Sequence, residues 1–195
     1  MFIVAYPREC TETFQDGHVR AVAFFEGVPR RISYDNASTS VSQIVGSRTR
    51  KLTDGFLQLQ SHYLFEEHFC RVRRANEKGV VEGVVKYARQ NYFVPVPEVK
   101  DFEELNAHLL QRCTEDLDRR LRGKGGTKRQ LLEEDRAAFL PLPAAPFEAC
   151  RKASTAADKL SLVRFDCNDY SVPVHFAHHP VVVKGYVDVV RICRK

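Results

Sequence analysis

Apolar and polar positions change their period along this chain, and the changes divide it. Phe2 to Tyr6 is an apolar run stopped by Pro7, which predicts a short buried strand. Phe14, His18, Ala21, Val22 and Phe25 then recur at helical spacing, with Thr11 as the expected N-cap and Gly27 as the stop. Val28 to Tyr34 reads as a second strand that delivers Asp35 and Asn36 at its carboxyl end. Strand, helix and strand in that order are the parts of a parallel crossover unit. Ala37 to Asp54 is polar, rich in Ser and Arg, and reads as a mobile loop. A short helix from Gly55 to Tyr63 and a third strand from Leu64 to Cys70 follow.

From Asn76 the period is helical again. Val81, Val84, Val85, Ala88 and Tyr92 form one stripe, expected to be buried, and Lys78, Glu82, Lys86 and Arg89 form another. The pattern breaks at Pro95 and Pro97. Asp101 opens a further helix with Glu104 in capping-box position, and Phe102, Leu105, Leu109, Cys113, Leu117 and Leu121 make a long narrow stripe. Gly123 to Gly126 is a hinge, without the Gly-Lys-Ser/Thr ending of a phosphate loop. Lys128 to Phe139 is a short helix, and Leu140 to Pro146 an extended linker. After Ala157 the period turns to alternation, predicting four strands over 160–165, 170–174, 181–184 and 186–192. The expected organisation is an α/β unit over 1–97, a helical extension and linker over 98–146, and a small all-β, barrel-like module over 147–195.

Charge singles out the helix near Asn76. The net charge is +5, but Arg30, Arg31, Arg48, Arg50, Lys51 and the run from Arg71 to Lys78 crowd the first half. Such crowding fits a polyanionic partner. Glu82 is a lone carboxylate in a row of cations behind Arg71, Arg73 and Arg74. Two readings stay open for it: an ordinary i,i+4 pair with Lys86 on a solvated face, or a metal-binding acid among phosphate-binding bases. Asp35 likewise serves either as a turn former or as a ligand at the carboxyl end of a strand. The six cysteines are scattered without metal-ligand spacing, so reduced thiols are expected. No signal peptide and no apolar run of membrane-spanning length is evident, which points to a cytoplasmic protein away from membranes.

Three segments carry a resemblance: Phe24-Phe-Glu-Gly-Val-Pro-Arg-Arg-Ile-Ser-Tyr-Asp-Asn36, Asn76-Glu-Lys-Gly-Val-Val-Glu82, and Leu162-Val-Arg-Phe-Asp166 followed by Asn168-Asp-Tyr-Ser-Val-Pro173. In this order they resemble a DDE transposase of retroviral-integrase type and, more narrowly, the IstA-type large transposase of insertion-sequence family twenty-one. The resemblance implies an RNase-H-like integrase catalytic core, incomplete here, followed by the small β module. It implies DNA transposition by strand transfer with Mg²⁺ or Mn²⁺. Asp35 would be the second metal-binding acid and Glu82 the third, with Arg71, Arg73, Arg74, Lys78 and Lys86 on DNA phosphates. The implied partners are double-stranded DNA at element ends and target, a helper AAA+ ATPase of IstB type, and further copies of the chain on DNA. The family's first acid lies on a strand that would precede Phe2, and its helix-turn-helix region would lie earlier still. Asp16 falls on a predicted helix and Asp54 in a predicted loop, so neither replaces it. The resemblance therefore implies an amino-terminally truncated copy, inactive as an isolated chain. The alternative is a remnant that only binds DNA or transposase subunits.

Overall fold

A computed structural model describes residues 1–34, 41–45, 49–69 and 75–194, with side chains for all of these except 41–45, 49–51 and 75–82. The first core forms where helix α1 (Thr11–Phe25) and helix α2 (Asp54–Tyr63) pack on two parallel strands, β1 (Arg31–Tyr34) and β4 (Glu66–Phe69). Val28, Phe56 and Leu59 are fully enclosed there, with Val22, Tyr34, Tyr63 and Phe65 around them. Cys10 rather than Thr11 is the N-cap of α1, and its amide donates to Thr13 Oγ1 at 3.0 Å. The helix ends one residue earlier than Gly27 suggests, on Glu26 in the left-handed region (φ 56°). Gly27 serves a close approach instead: a Cβ there would lie 2.7 Å from Phe139 Cδ2. Asp54, expected in a loop, opens α2 behind the N-cap Thr53, whose hydroxyl accepts from the Phe56 amide.

Two expectations for this half are corrected. Phe2 to Tyr6 is not a strand, and no strand pairs with it among the described residues. Its apolar side chains pack on α1 and on helix α4 (Phe102–Asp116), and the Asn106 side chain supplies the hydrogen bonds a strand neighbour would. Ala5 N donates to Asn106 Oδ1 at 2.8 Å and Asn106 Nδ2 donates back to Ala5 O at 3.0 Å. The polar stretch expected to be a mobile loop holds an antiparallel pair, β2 (Val41–Val45) and β3 (Thr49–Leu52). The sheet expected of an RNase-H-like core is represented by β1 and β4 alone among the described residues.

Helix α3 (Ala75–Tyr92) matches its predicted span, but its apolar stripe is only partly buried. Tyr92 is enclosed, whereas Val84 is 47% and Val85 45% exposed; Val81 has no described side chain. Tyr92 joins Leu109 and Cys113 of α4 in a second core. The α4 stripe is buried at Leu109, Cys113 and Leu117, while Phe102 and Leu121 at its ends are exposed. Asp101 accepts from the Glu104 amide as predicted, but Glu104 reaches back to the Lys100 amide instead of that of Asp101. Helix α5 (Lys128–Arg136) starts with a full capping box between Thr127 and Gln130. The segment expected as a linker is tied down at its start, where Leu140 and Val28 exchange backbone hydrogen bonds of 2.8 and 3.0 Å.

The carboxyl-terminal part is a three-stranded antiparallel sheet in the order β5 (Arg151–Ala156), β8 (Pro180–Gly185), β9 (Val190–Arg194), with a hairpin of β6 (Leu162–Phe165) and β7 (Asn168–Ser171). Val163, Val181 and Val183 are its fully buried centre. β5 was not predicted. Tyr186, expected to start a strand, instead closes a turn by donating from its amide to Val189 O.

Candidate functional site

The parallel pairing of β1 and β4 sets Arg31, Ile32, Ser33 and Tyr34 opposite Glu66, Glu67, His68 and Phe69. Both strands therefore end at one edge of the sheet, with Tyr34 beside Phe69. In open α/β sheets this carboxyl edge is where ligands bind. Asp35 is the residue after Tyr34 in sequence, and its placement lies outside the described residues, as do those of Arg71, Arg73 and Arg74. Glu82 and Lys78 are on α3, where only their backbone is described. Lys86, one turn beyond Glu82, is exposed on the same helix. The described residues thus place two of the predicted bases and one acid on one helix, and bring Asp35's neighbour Tyr34 to the strand edge. They do not test whether the two acids meet.

The edge is held by groups that sequence reasoning passed over. The Tyr34 ring is buried among Phe14, Phe56, Phe65 and Phe69. Its hydroxyl lies 3.0 Å from His18 Nε2, and His18 Nδ1 lies 2.8 Å from the Phe14 carbonyl oxygen. A carbonyl can only accept, so Nδ1 carries the proton and Nε2 accepts from the Tyr34 hydroxyl. Burial lowers the His18 pKa, which keeps the ring neutral and the tautomer fixed. Burial, with the Glu67 carboxylate adding to it, raises that of Tyr34. The signal was present as the alternation of Ile32 and Tyr34, and in His18 standing one turn after Phe14. On the other face Arg31 bonds Glu66 across the strands at 3.0 Å and Ser33 meets His68 at 3.3 Å. Gln60 covers the sheet and bonds Glu67.

The carboxyl half of α3 is anchored to α4 and α5. Arg112 Nη2 donates to Asn91 O at 2.9 Å. The Tyr87 ring lies under Arg119 (5.0 Å) and Lys128 (5.6 Å), and its hydroxyl donates to Asp116 Oδ1. Asp116 in turn accepts from Lys128 Nζ at 2.5 Å and pairs with Arg119 at 3.2 Å. Burial alone would raise the Asp116 pKa, but Lys128 above all, with Arg119, holds it below the ordinary carboxylate value. This fixes the helix that carries Glu82 from its far end.

Carboxylates are the donor set a hard divalent cation takes. Among the described residues no group of three or more His, Cys, Asp or Glu is assembled for a metal. The thiols of Cys10, Cys113, Cys150, Cys167 and Cys193 are free, and among the described residues no helix is long and apolar enough to cross a membrane.

Residues 142–195 match the family described as Mu transposase, C-terminal domain. A transposase of Aminobacter aminovorans is 35% identical over 189 residues, covering 96% of this chain and 37% of that protein. The transposase for insertion sequence element IS21 of Pseudomonas aeruginosa is 30% identical over 187 residues, covering 95% of this chain and 48% of that protein. The chain thus spans between a third and a half of the length of these curated relatives. A chain from the complex of the simian T-cell lymphotropic virus intasome with PP2A regulatory subunit B56 gamma aligns with a TM-score of 0.49 at 15% identity, over 96% of this chain and 63% of that one.

Proposed function

This chain is a homologue of IS21-type transposases over nearly all of its length, and from that premise we propose that it supplies part of the catalytic core of a DNA transposase. The observation that carries the reading is the likeness to the IS21 transposase across 95% of the chain. The parallel pairing that puts Tyr34, the residue before Asp35 in sequence, at the carboxyl edge of a sheet supports it. The reading assigns an RNase-H-like core to 1–97, a helical extension and linker to 98–146, and a small β module to 147–195.

Asp35 and Glu82 are the acids that hold Mg²⁺ or Mn²⁺. When bound, a pair of such ions stabilises the attacking and leaving oxygens of an in-line phosphodiester displacement. Arg71, Arg73, Arg74, Lys78 and Lys86 offset the repulsion between that acidic site and the phosphates brought to it. The His18–Tyr34 hydrogen bond pins the end of β1 from which Asp35 continues. The Asp116 ion cluster pins the helix that carries Glu82. The partners of this reading are duplex DNA, an IstB-type helper ATPase and further copies of the same protein.

The test is metal-dependent DNA nicking by a protein that contains this sequence together with a first-acid strand and an end-binding region. Asp35→Asn and Glu82→Gln each abolish nicking while DNA binding is kept. Nicking that survives either substitution refutes the assignment. Binding without nicking in the unaltered protein would make this segment a binding module only.

A further inference from the structure

The outer face of the β5–β8–β9 sheet carries a line of like charge. Val181, Val183 and Gly185 of β8 are buried, so Val182 and Lys184 point to the opposite face. Register sets Lys184 opposite Lys152 of β5 on one side and opposite Arg191 of β9 on the other. Three cations therefore stand in one row across three strands, about 10 Å from end to end at the strand spacing of roughly 4.8 Å. The next row, Ser154, Val182 and Cys193, is uncharged. Like charges directly opposite each other destabilise a sheet, so the row needs a reason.

One anion sits on it. Glu148, three residues before β5, bonds Lys152 Nζ and Lys184 Nζ at 2.8 Å each and accepts from the Tyr186 hydroxyl at 2.6 Å. Arg191 lies 5.2 Å from the centroid of the Tyr186 ring. Among the described residues Glu148 is the one carboxylate in salt-bridge reach of Lys152 and Lys184, and none is in such reach of Arg191, which leaves the row with a surplus of two positive charges. The hydrogen bonds from Lys152, Lys184 and Tyr186 draw the Glu148 pKa down to about 2, so it stays ionised at neutral pH.

We propose that this face docks the phosphodiester backbone of a nucleic acid, and that Glu148 is a resident counter-ion which a phosphate displaces. Two ammonium groups and a hydroxyl already cradle a two-oxygen anion there, and a phosphate presents the same oxygens. Successive phosphates of one strand step around the helix as well as rising roughly 3.4 Å along it, so the row faces about two of them. A linear array of one sign of charge suits a regular polyanion better than an acidic protein patch. The choice of nucleic acid rests on the transposase reading above; the row and its counter-ion do not.

The test is fluorescence anisotropy of a labelled duplex of arbitrary sequence with the whole 195-residue chain, over a salt series, with thermal melts to check folding. Glu148→Gln keeps the shape and removes the counter-charge. It should tighten binding about fourfold at low salt, the effect of one unit charge removed at about 5 Å in water. Lys152→Gln with Arg191→Gln should weaken binding and flatten the salt slope by about 1.8, from two contacts at about 0.9 each. Lys152→Arg, which keeps the charge, should leave the slope as it was. If both the Glu148 and the Lys152/Arg191 variants melt like the parent and bind like it, the proposal is overturned. If in that case Lys86→Gln still flattens the slope, the DNA reading stands without this face. Glu148→Gln tightening a poly-glutamate probe but not the duplex would also overturn the proposal, in favour of an acidic protein partner.

Discussion

Replacing Gly185 with alanine tests how the β module is packed. A Cβ at this position would lie 2.6 Å from both Cε1 and Cζ of Phe165. Carbon atoms in contact settle at about 3.5–4.0 Å, so the ring must retreat by roughly 1 Å. The Arg151 guanidinium, 4.7 Å from the ring centroid and itself held by Asp166 at 2.7 Å and near Glu12 of α1 at 3.7 Å, restricts that movement. Gly185 cannot yield either, because it is paired with Arg151 on one side and Val190 on the other. Overpacking of this kind costs about 1–3 kcal/mol, and for a domain of this size each kcal/mol lowers Tm by about 2–4 °C. The assay is thermal melting of Gly185→Ala, Phe165→Leu and the double variant. Both single variants should melt lower, while the double variant should recover about 1 kcal/mol or more of their summed loss, since the new methyl fills space the ring vacates. A Gly185→Ala protein that melts within 1 °C of its parent, or strictly additive losses, would refute the argument.

Acid titration of stability should expose His18. Its folded pKa is below the ordinary value, so the unfolded chain takes up the proton first as pH falls. Stability should therefore drop from about pH 6.5 down to the folded pKa, by no more than about 1.4 kcal/mol per pH unit, and His18→Phe should remove that part of the dependence; an unchanged acid limb in denaturant titrations counts against the buried neutral ring. Replacing Arg71, Arg73, Arg74, Lys78 and Lys86 by glutamine should each flatten the salt dependence of duplex binding by about 0.9, and a slope unmoved with all five replaced would mark them as a solvated face.

Helical period was the most legible feature of the sequence. It located α1, α2 and α4 and the span of α3, because each has an apolar stripe long enough to be distinguished. It misjudged how much of the α3 stripe is covered: Val84 and Val85 obey the period but stand exposed. Strands were legible where alternation met burial, as in Leu162–Phe165 and around Val181 and Val183. β5 escaped because Arg151-Lys-Ala-Ser-Thr-Ala156 buries almost nothing; it is a strand through its backbone pairing with β8. The reverse error occurred at Phe2 to Tyr6, where apolar content suggested a strand but a side-chain amide does the pairing. Of the candidate site, types and order of residues were readable. The groups that support it, His18 and Asp116, were not, since their roles depend on partners 16 and 12 residues away.

Strand transfer by Glu82 and Glu77 variants tests the central claim most directly. Both glutamates lie on α3, five residues apart and therefore about 140° apart around the helix. In the longer protein that carries a first-acid strand and end-binding region, DNA strand transfer is measured with Mg²⁺ and with Mn²⁺. Glu82→Gln should abolish it in both metals with DNA affinity and melting unchanged, as should Asp35→Asn, while Glu77→Gln should be nearly silent. Activity that survives Glu82→Gln but fails with Glu77→Gln would contradict the register of the site, and activity that survives both would make Glu82 an ordinary ion pair on a solvated helix.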